Sequence, residues 1–197
     1  MEIIFDIIVI MFSAILHEVS HGLAARALGD KTAEYAGRLT LDPRAHIDLY
    51  GSIILPFILW LTTGGRFLFA YAKPVPYNPY NLRNQQWGPA LVALAGPGMN
   101  FLIAIILAAI IRVLGFESGM VEFLIRSLVI NVSLGVFNLV PLPPLDGSKV
   151  LFALLPPRYD HIKHKLERHG MLIVILFIFF FLSVLAPITG AIVRALL

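Results

Sequence analysis

The chain has 197 residues, of which 58% are hydrophobic and only 14% charged, with mean hydropathy +0.85; a soluble domain is about 45–50% apolar and about 25% charged, so this balance is that of a membrane protein. Net charge is +3, but Lys and Arg lie between apolar runs rather than in one patch, which argues for orientation in a lipid bilayer and against a nucleic-acid partner. Cysteine is absent, which excludes disulfides and thiolate zinc sites and leaves His, Asp and Glu as the metal ligands on offer.

The first apolar stretch runs from about residue 3 to 28, long enough to cross a bilayer, which needs about 20 apolar residues. Its acidic start, Met1-Glu2, and the lack of a small-residue cleavage site argue against a signal peptide, and the segment is expected to be retained. Within it lies His17-Glu18-Val19-Ser20-His21, an HExxH pattern. Residues four apart share a helix face, so two imidazoles can hold one metal ion with the Glu between them as general base. The pattern alone is common, and a polar cluster that packs helices together is the plainer alternative. Two His and one Glu inside an apolar span are costly, however, and read by default as functional.

Residues 29–49 mix charges with short β-like runs such as Tyr35 to Leu41, and within them 33–47 are expected to form a small membrane-associated β element. His46 in this stretch suits loop hydrogen bonding, with a metal or substrate contact as the alternative. Residues 51–72 are apolar but interrupted by Pro56, Gly64-Gly65 and Arg66, so they read as a re-entrant segment or a short span. Broken backbone at that depth must be buried in protein or line a wet cavity. Residues 73–88 are rich in Pro and Asn and are expected to be turns and extended chain. Trp60, Tyr71 and Trp87 are expected at membrane interfaces.

Two further spans are expected at about 89–114 and 120–140. Between them, Arg112 and Arg126 are offset by Glu117 and Glu122. Residues 141–158 carry five prolines and the triplet Leu145-Asp146-Gly147. Asp146 is the candidate third metal ligand, with a helix N-cap as the rival role; Gly147 would permit a close turn. Residues 158–169 read as a basic amphipathic helix at the interface, where His161, His164 and His169 are solvated. A last span is expected at about 171–197, with a kink or break at Pro187.

The basic connections after the first and third spans and before the second belong in the cytoplasm. That requires residues 51–72 to enter and leave on one side, and it brings His17, His21 and Asp146 to the same side of the membrane. The fold class expected is therefore an all-α, polytopic helical bundle forming one domain over residues 1–197, with the small β element and the re-entrant segment. It is expected in a cell's inner or plasma membrane, with its active site toward the cytoplasm.

HEVSH in the first span, AGPGMNF at 95–101 and NLVPLPPLDG at 138–147 together resemble the site-2 protease family of intramembrane metalloproteases, over nearly the whole chain. The resemblance implies one catalytic Zn2+ held by His17, His21 and Asp146, with Glu18 activating water. It implies that Asn138 handles the substrate backbone, and it matches Asn100 to the Asn of the GPxxN motif, a second candidate for substrate binding. It further implies a transmembrane protein as substrate, cut where its helix unwinds; residues 33–47 are the candidate edge that would hold it extended. The chain resembles a compact core, with no room between spans for a PDZ domain and none for a C-terminal CBS pair. Two other readings are an inactive relative that binds membrane helices and a metal transporter; an intact HExxH with LDG opposes the first, and a single closed ligand cluster opposes the second. Nothing in the sequence specifies an oligomeric state.

Overall fold

A computed structural model describes residues 2–54, 57, 58, 61, 62, 64, 72–115 and 119–197. Seven α-helices are described: α1 (Glu2–Ala27), α2 (Thr32–Tyr35), α3 (Gly88–Leu114), α4 (Val121–Asn138), α5 (Gly147–Leu154), α6 (Asp160–Arg168) and α7 (Gly170–Leu196). Among the described residues, three helices are long and apolar enough to cross a membrane: Ile3–Ala27, Gly88–Leu114 and Val121–Asn138. At 1.5 Å per residue, 18 residues reach about 27 Å, close to the ~30 Å hydrocarbon core. The fourth expected span is bent by 75° between Gly170–Phe180 and Ser183–Leu196. The bend falls one turn before Pro187, where the proline ring clashes with the carbonyl four residues back and cannot donate its own hydrogen bond.

Helix α3 is central and packs on both α1 and α4. Its Ala104, Ala108 and Ile111 meet Val121, Leu128, Val132 and Val136 of α4, and the second half of α7 covers this core through Leu185, Ile192 and Val193. Helix α1 is built inside out. Ile3, Ile4, Ile7, Ile8 and Phe12 are exposed, the place lipid would take, whereas Ser13, His17 and Ser20 are buried against the bundle. Small and polar residues inside with large apolar ones outside is the packing expected when lipid, not water, is the solvent.

Helix α1 ends where Gly29 adopts φ 111°; its N–H bonds the Arg26 carbonyl and the next N–H, from Asp30, returns to Ala25. This left-handed stop needs glycine and turns Asp30 inward, where it is fully buried. The Asp30 carboxylate accepts hydrogen bonds from Thr32 N and Oγ1, Asn78 N and Asn81 Nδ2. Burial pushes this carboxyl up, but the bonds from Thr32, Asn81 and Asn78 outweigh it and hold it below the usual carboxylate range. A depressed folded pKa adds stability above the unfolded pKa and loses it as pH falls through the folded one. Asp30→Ala is expected to destabilise the purified protein at neutral pH by about 3 kcal/mol. Thermal melting across pH should show wild type and variant converging on acidification; a gap that persists at low pH would exclude this origin.

The β element expected at 33–47 is not present; no strand occurs among the described residues. Instead α2 occupies Thr32–Tyr35. Gly37, at φ 64°, stops it, with Gly37 N bonding Glu34 O and Arg38 N bonding Ala33 O. Pro43–Ala45 forms a 3-10 turn that Asp42 caps by accepting from Arg44 N. The backbone groups that a strand would share with a neighbour are used locally here. His46 holds this loop, donating from Nε2 to the Thr40 carbonyl at 2.8 Å.

The segment expected to be re-entrant, 51–72, falls largely outside the described residues, as do Trp60 and Tyr71. Its beginning belongs to a wide helical turn, Leu49–Ile54, capped by Asp48 Oδ1, which accepts from Tyr50 N and Gly51 N. Residues 72–78 form an extended strap with no regular pairing.

Candidate metal centre

Residues 17 and 21 lie one helical turn apart on α1 and face the bundle. Their rings meet edge to face, with centroids 4.6 Å apart. His21 Nδ1 lies 2.7 Å from the Val92 carbonyl of α3. A carbonyl only accepts, so Nδ1 carries a proton, and in the neutral ring the Nε2 lone pair is the one that faces the site. His17 Nδ1 lies 2.7 Å from Asn100 Oδ1 and is arranged the same way.

Asp146 arrives from the proline-rich turn after α4. It occupies the N-cap position of α5, yet its side chain makes no capping hydrogen bond. Its Oδ2 lies 3.0 Å from His17 Nε2 and 3.3 Å from His21 Nε2. Gly147 makes the turn possible, because a Cβ there would land on the Leu139 carbonyl. Ligand atoms of His17, His21 and Asp146 all lie within 4.8 Å of one another. Asp146 Oδ2 is buried and has no hydrogen-bond partner. With both rings neutral the ligand atoms would be three converging acceptors, an arrangement that a bound cation relieves. Two imidazole nitrogens and one carboxylate oxygen, with a position left over, also match the donor set of a catalytic zinc site.

The backbone of α3 closes the other side. A Cβ on Gly96 would sit 2.5 Å from His17 Nε2, His21 Nε2 and His21 Cε1, so glycine there gives the ligand nitrogens their room.

Glu18 is half-buried, and its Oε2 accepts from Val75 N at 2.8 Å. Val75 lies on the strap, which crosses over the end of α1. A cavity of about 280 Å³ opens beside these groups; its walls include His17, Glu18, His21 and Asp146, with Val75 and Tyr77 from the strap, Val92 from α3, Asn138 from α4 and Lys149 from α5. Burial pushes the Tyr77 hydroxyl up, and the Asp146 and Glu167 carboxylates add to the rise, so this phenol keeps its proton at neutral pH.

Asn138 is on the cavity wall, with Nδ2 donating to Leu134 O at 3.0 Å. Asn100 is fully buried behind His17 and is not among the wall residues. From there a polar chain continues: Asn100 Nδ2 donates to Asn131 Oδ1 at 3.2 Å, and Asn131 Nδ2 donates to Ser127 O at 2.9 Å. The sequence reading overlooked Asn131. A buried amide in the apolar run of α4 was the available signal. The strap residues Val75 and Tyr77 were overlooked too, and no spacing rule marks them.

The sequence model of peptidase family M50 matches residues 5–120 and 115–182. "Putative zinc metalloprotease YwhC" of Bacillus subtilis is 32% identical over 182 residues, covering 87% of this chain and 79% of that protein. Rip2 of Mycolicibacterium smegmatis, whose name carries the same description, is 30% identical over 84% of this chain and 62% of its own. "Zinc metalloprotease MJ0392" of Methanocaldococcus jannaschii is 26% identical over 79% of this chain, which spans 36% of it. No solved structure matches. With the family's sequence model covering most of its length, and the HExxH, GPxxN and LDG motifs in place, the chain belongs to peptidase family M50, the site-2 protease family.

Proposed function

We propose that this protein is a zinc-dependent endopeptidase that hydrolyses a peptide bond within or beside a transmembrane helix of a membrane-protein substrate. The observation that carries the proposal is the convergence of one ligand atom each from His17, His21 and Asp146 within 4.8 Å of one another, with Asp146 Oδ2 buried and unpartnered. These three residues would hold zinc. When bound, zinc polarises the scissile carbonyl and lowers the pKa of water toward ~7.

The remaining work falls to the protein's own side chains. Asn100 fixes the orientation of the His17 ring, and the Val92 carbonyl does the same for His21; such outer partners set ligand tautomer and geometry. Glu18, held by Val75 N–H, takes a proton from the water that adds to the carbonyl carbon. It returns that proton to the amine as the C–N bond breaks. Asn138 hydrogen-bonds the unwound substrate backbone from the cavity wall. The basic connections support a cytoplasmic position for this cavity.

Purified wild-type protein is expected to hold one zinc ion per chain by elemental analysis, and Asp146→Ala to lose it. A panel of transmembrane segments co-expressed with the protein should include one that is cut, with cleavage stopped by a chelator and restored by zinc. Full zinc content in Asp146→Ala would remove that residue from the ligand set. Cleavage that continues in zinc-free protein would overturn the proposal.

A further inference from the structure

Hydrolysis of an amide builds negative charge on the carbonyl oxygen as water adds, and a hydrogen-bond donor aimed at that oxygen is worth about 10²–10³-fold in rate. Apart from His17 and His21, whose Nδ1 groups face Asn100 and Val92, three side chains on the cavity wall carry donors: Asn138, Lys149 and Tyr77. Lys149 Nζ is engaged by Glu167 Oε1 at 2.5 Å and leans over the Phe152 ring. Asn138 gives one amide hydrogen to its own helix, at Leu134 O. Among the described residues the Tyr77 hydroxyl has no hydrogen-bond partner, although its ring is half-buried.

The strap that carries Tyr77 is fastened along its length. Arg38 Nη2 donates to Lys73 O at 2.7 Å, and Lys73 N to His46 O at 2.9 Å. Val75 N donates to Glu18, and Asn78 N to the buried Asp30 carboxylate at 2.7 Å. The Val75 side chain packs against Gly22 of α1, where a Cβ would come within 2.9 Å of its Cγ1. Tyr77 thus sits two residues from the group that positions Glu18, on an element with little freedom to move, and it faces the same small cavity as the ligand cluster.

We propose that the Tyr77 hydroxyl is a catalytic hydrogen-bond donor, approaching from the strap side to the carbonyl oxygen of the scissile peptide as that oxygen gains charge. The phenol keeps its proton throughout: the bond to the water oxygen forms, the C–N bond breaks, and the transferred proton travels by way of Glu18. The strap then has two tasks in one element, holding the base through Val75 N–H and the charge-stabilising donor through Tyr77. Only the second needs a particular side chain.

The inference rests on the zinc-peptidase reading, and the test separates the two. The probe is a phosphinic dipeptide, in which a tetrahedral anionic PO2 group replaces the scissile amide, titrated into zinc-loaded protein in detergent. Wild type is expected to bind it only when zinc-loaded. Tyr77→Phe should bind it at least tenfold more weakly while keeping the wild-type zinc affinity and melting temperature. Absence of binding to zinc-loaded wild type would count against the zinc-peptidase reading itself. Equal phosphinate affinity in the two proteins would overturn the Tyr77 role alone. A Tyr77→Phe variant that loses zinc or melts early would also overturn it, because the hydroxyl would then be structural.

Discussion

Glu18→Gln is expected to bind zinc as wild type does and to lose cleavage by about 10³-fold or more. Glutamine keeps the shape of glutamate, and its amide oxygen can still accept from Val75 N–H, the bond that now holds Glu18 Oε2 at 2.8 Å. The strap should therefore stay in place and the melting temperature should hold. What is lost is a group able to take and return a proton. Glu18 is not one of the three clustered ligand residues, so metal content reports on the site independently of activity. Normal cleavage by Glu18→Gln would refute the assignment of Glu18 as base. Loss of zinc would show instead that the side chain supports the metal centre.

Gly96→Val should remove zinc binding, by about 100-fold or more in affinity. The added Cβ would stand 2.5 Å from both ligand nitrogens, a separation at which something must move. The histidines cannot yield without cost, because their other nitrogens are tied to Asn100 and to the Val92 carbonyl. The helix cannot back away easily either, since the neighbouring Val92 and Ala93 are buried. Gly98→Ala is the control two residues on. A Cβ there meets nothing within 4 Å, and alanine favours a helix over glycine by about 1 kcal/mol. Zinc binding should survive in Gly98→Ala and fail in Gly96→Val. Equal zinc affinity in both would mean that α3 does not press on the ligands as described.

Glycine at 96 illustrates how little some functional positions reveal in sequence. It belongs to the GPxxN motif, whose resemblance drew attention to Asn100. The structure places Asn100 out of the cavity and behind His17, and puts Gly96 against both rings. A glycine at a close approach looks like any glycine until the opposing element is known. Asp146 carried more information. Its two roles, ligand or N-cap, could not be separated from LDG alone; in the structure the side chain makes no capping bond and faces the two ring nitrogens. The strap is the opposite case: Pro and Asn mark it as irregular chain, and nothing in its composition says that it lies against α1 beside Glu18.

The sequence by itself determined what depends on local periodicity and on the solvent. Long apolar runs must be helical where no water can satisfy the backbone, and three helices fall at Ile3–Ala27, Gly88–Leu114 and Val121–Asn138. Four-residue spacing puts His17 and His21 on one face of α1 whatever surrounds them. Tertiary structure decided everything that depends on partners distant in the chain. The β-like run at 33–47 has no neighbouring strand among the described residues, and its backbone closes on itself in short turns. The Asn100 to Asn131 chain, the room left by Gly96, and the placing of Val75 and Tyr77 against Glu18 and the ligand cavity arise where α1, α3, α4 and the strap meet. No one segment carries the pattern of a surface assembled from four.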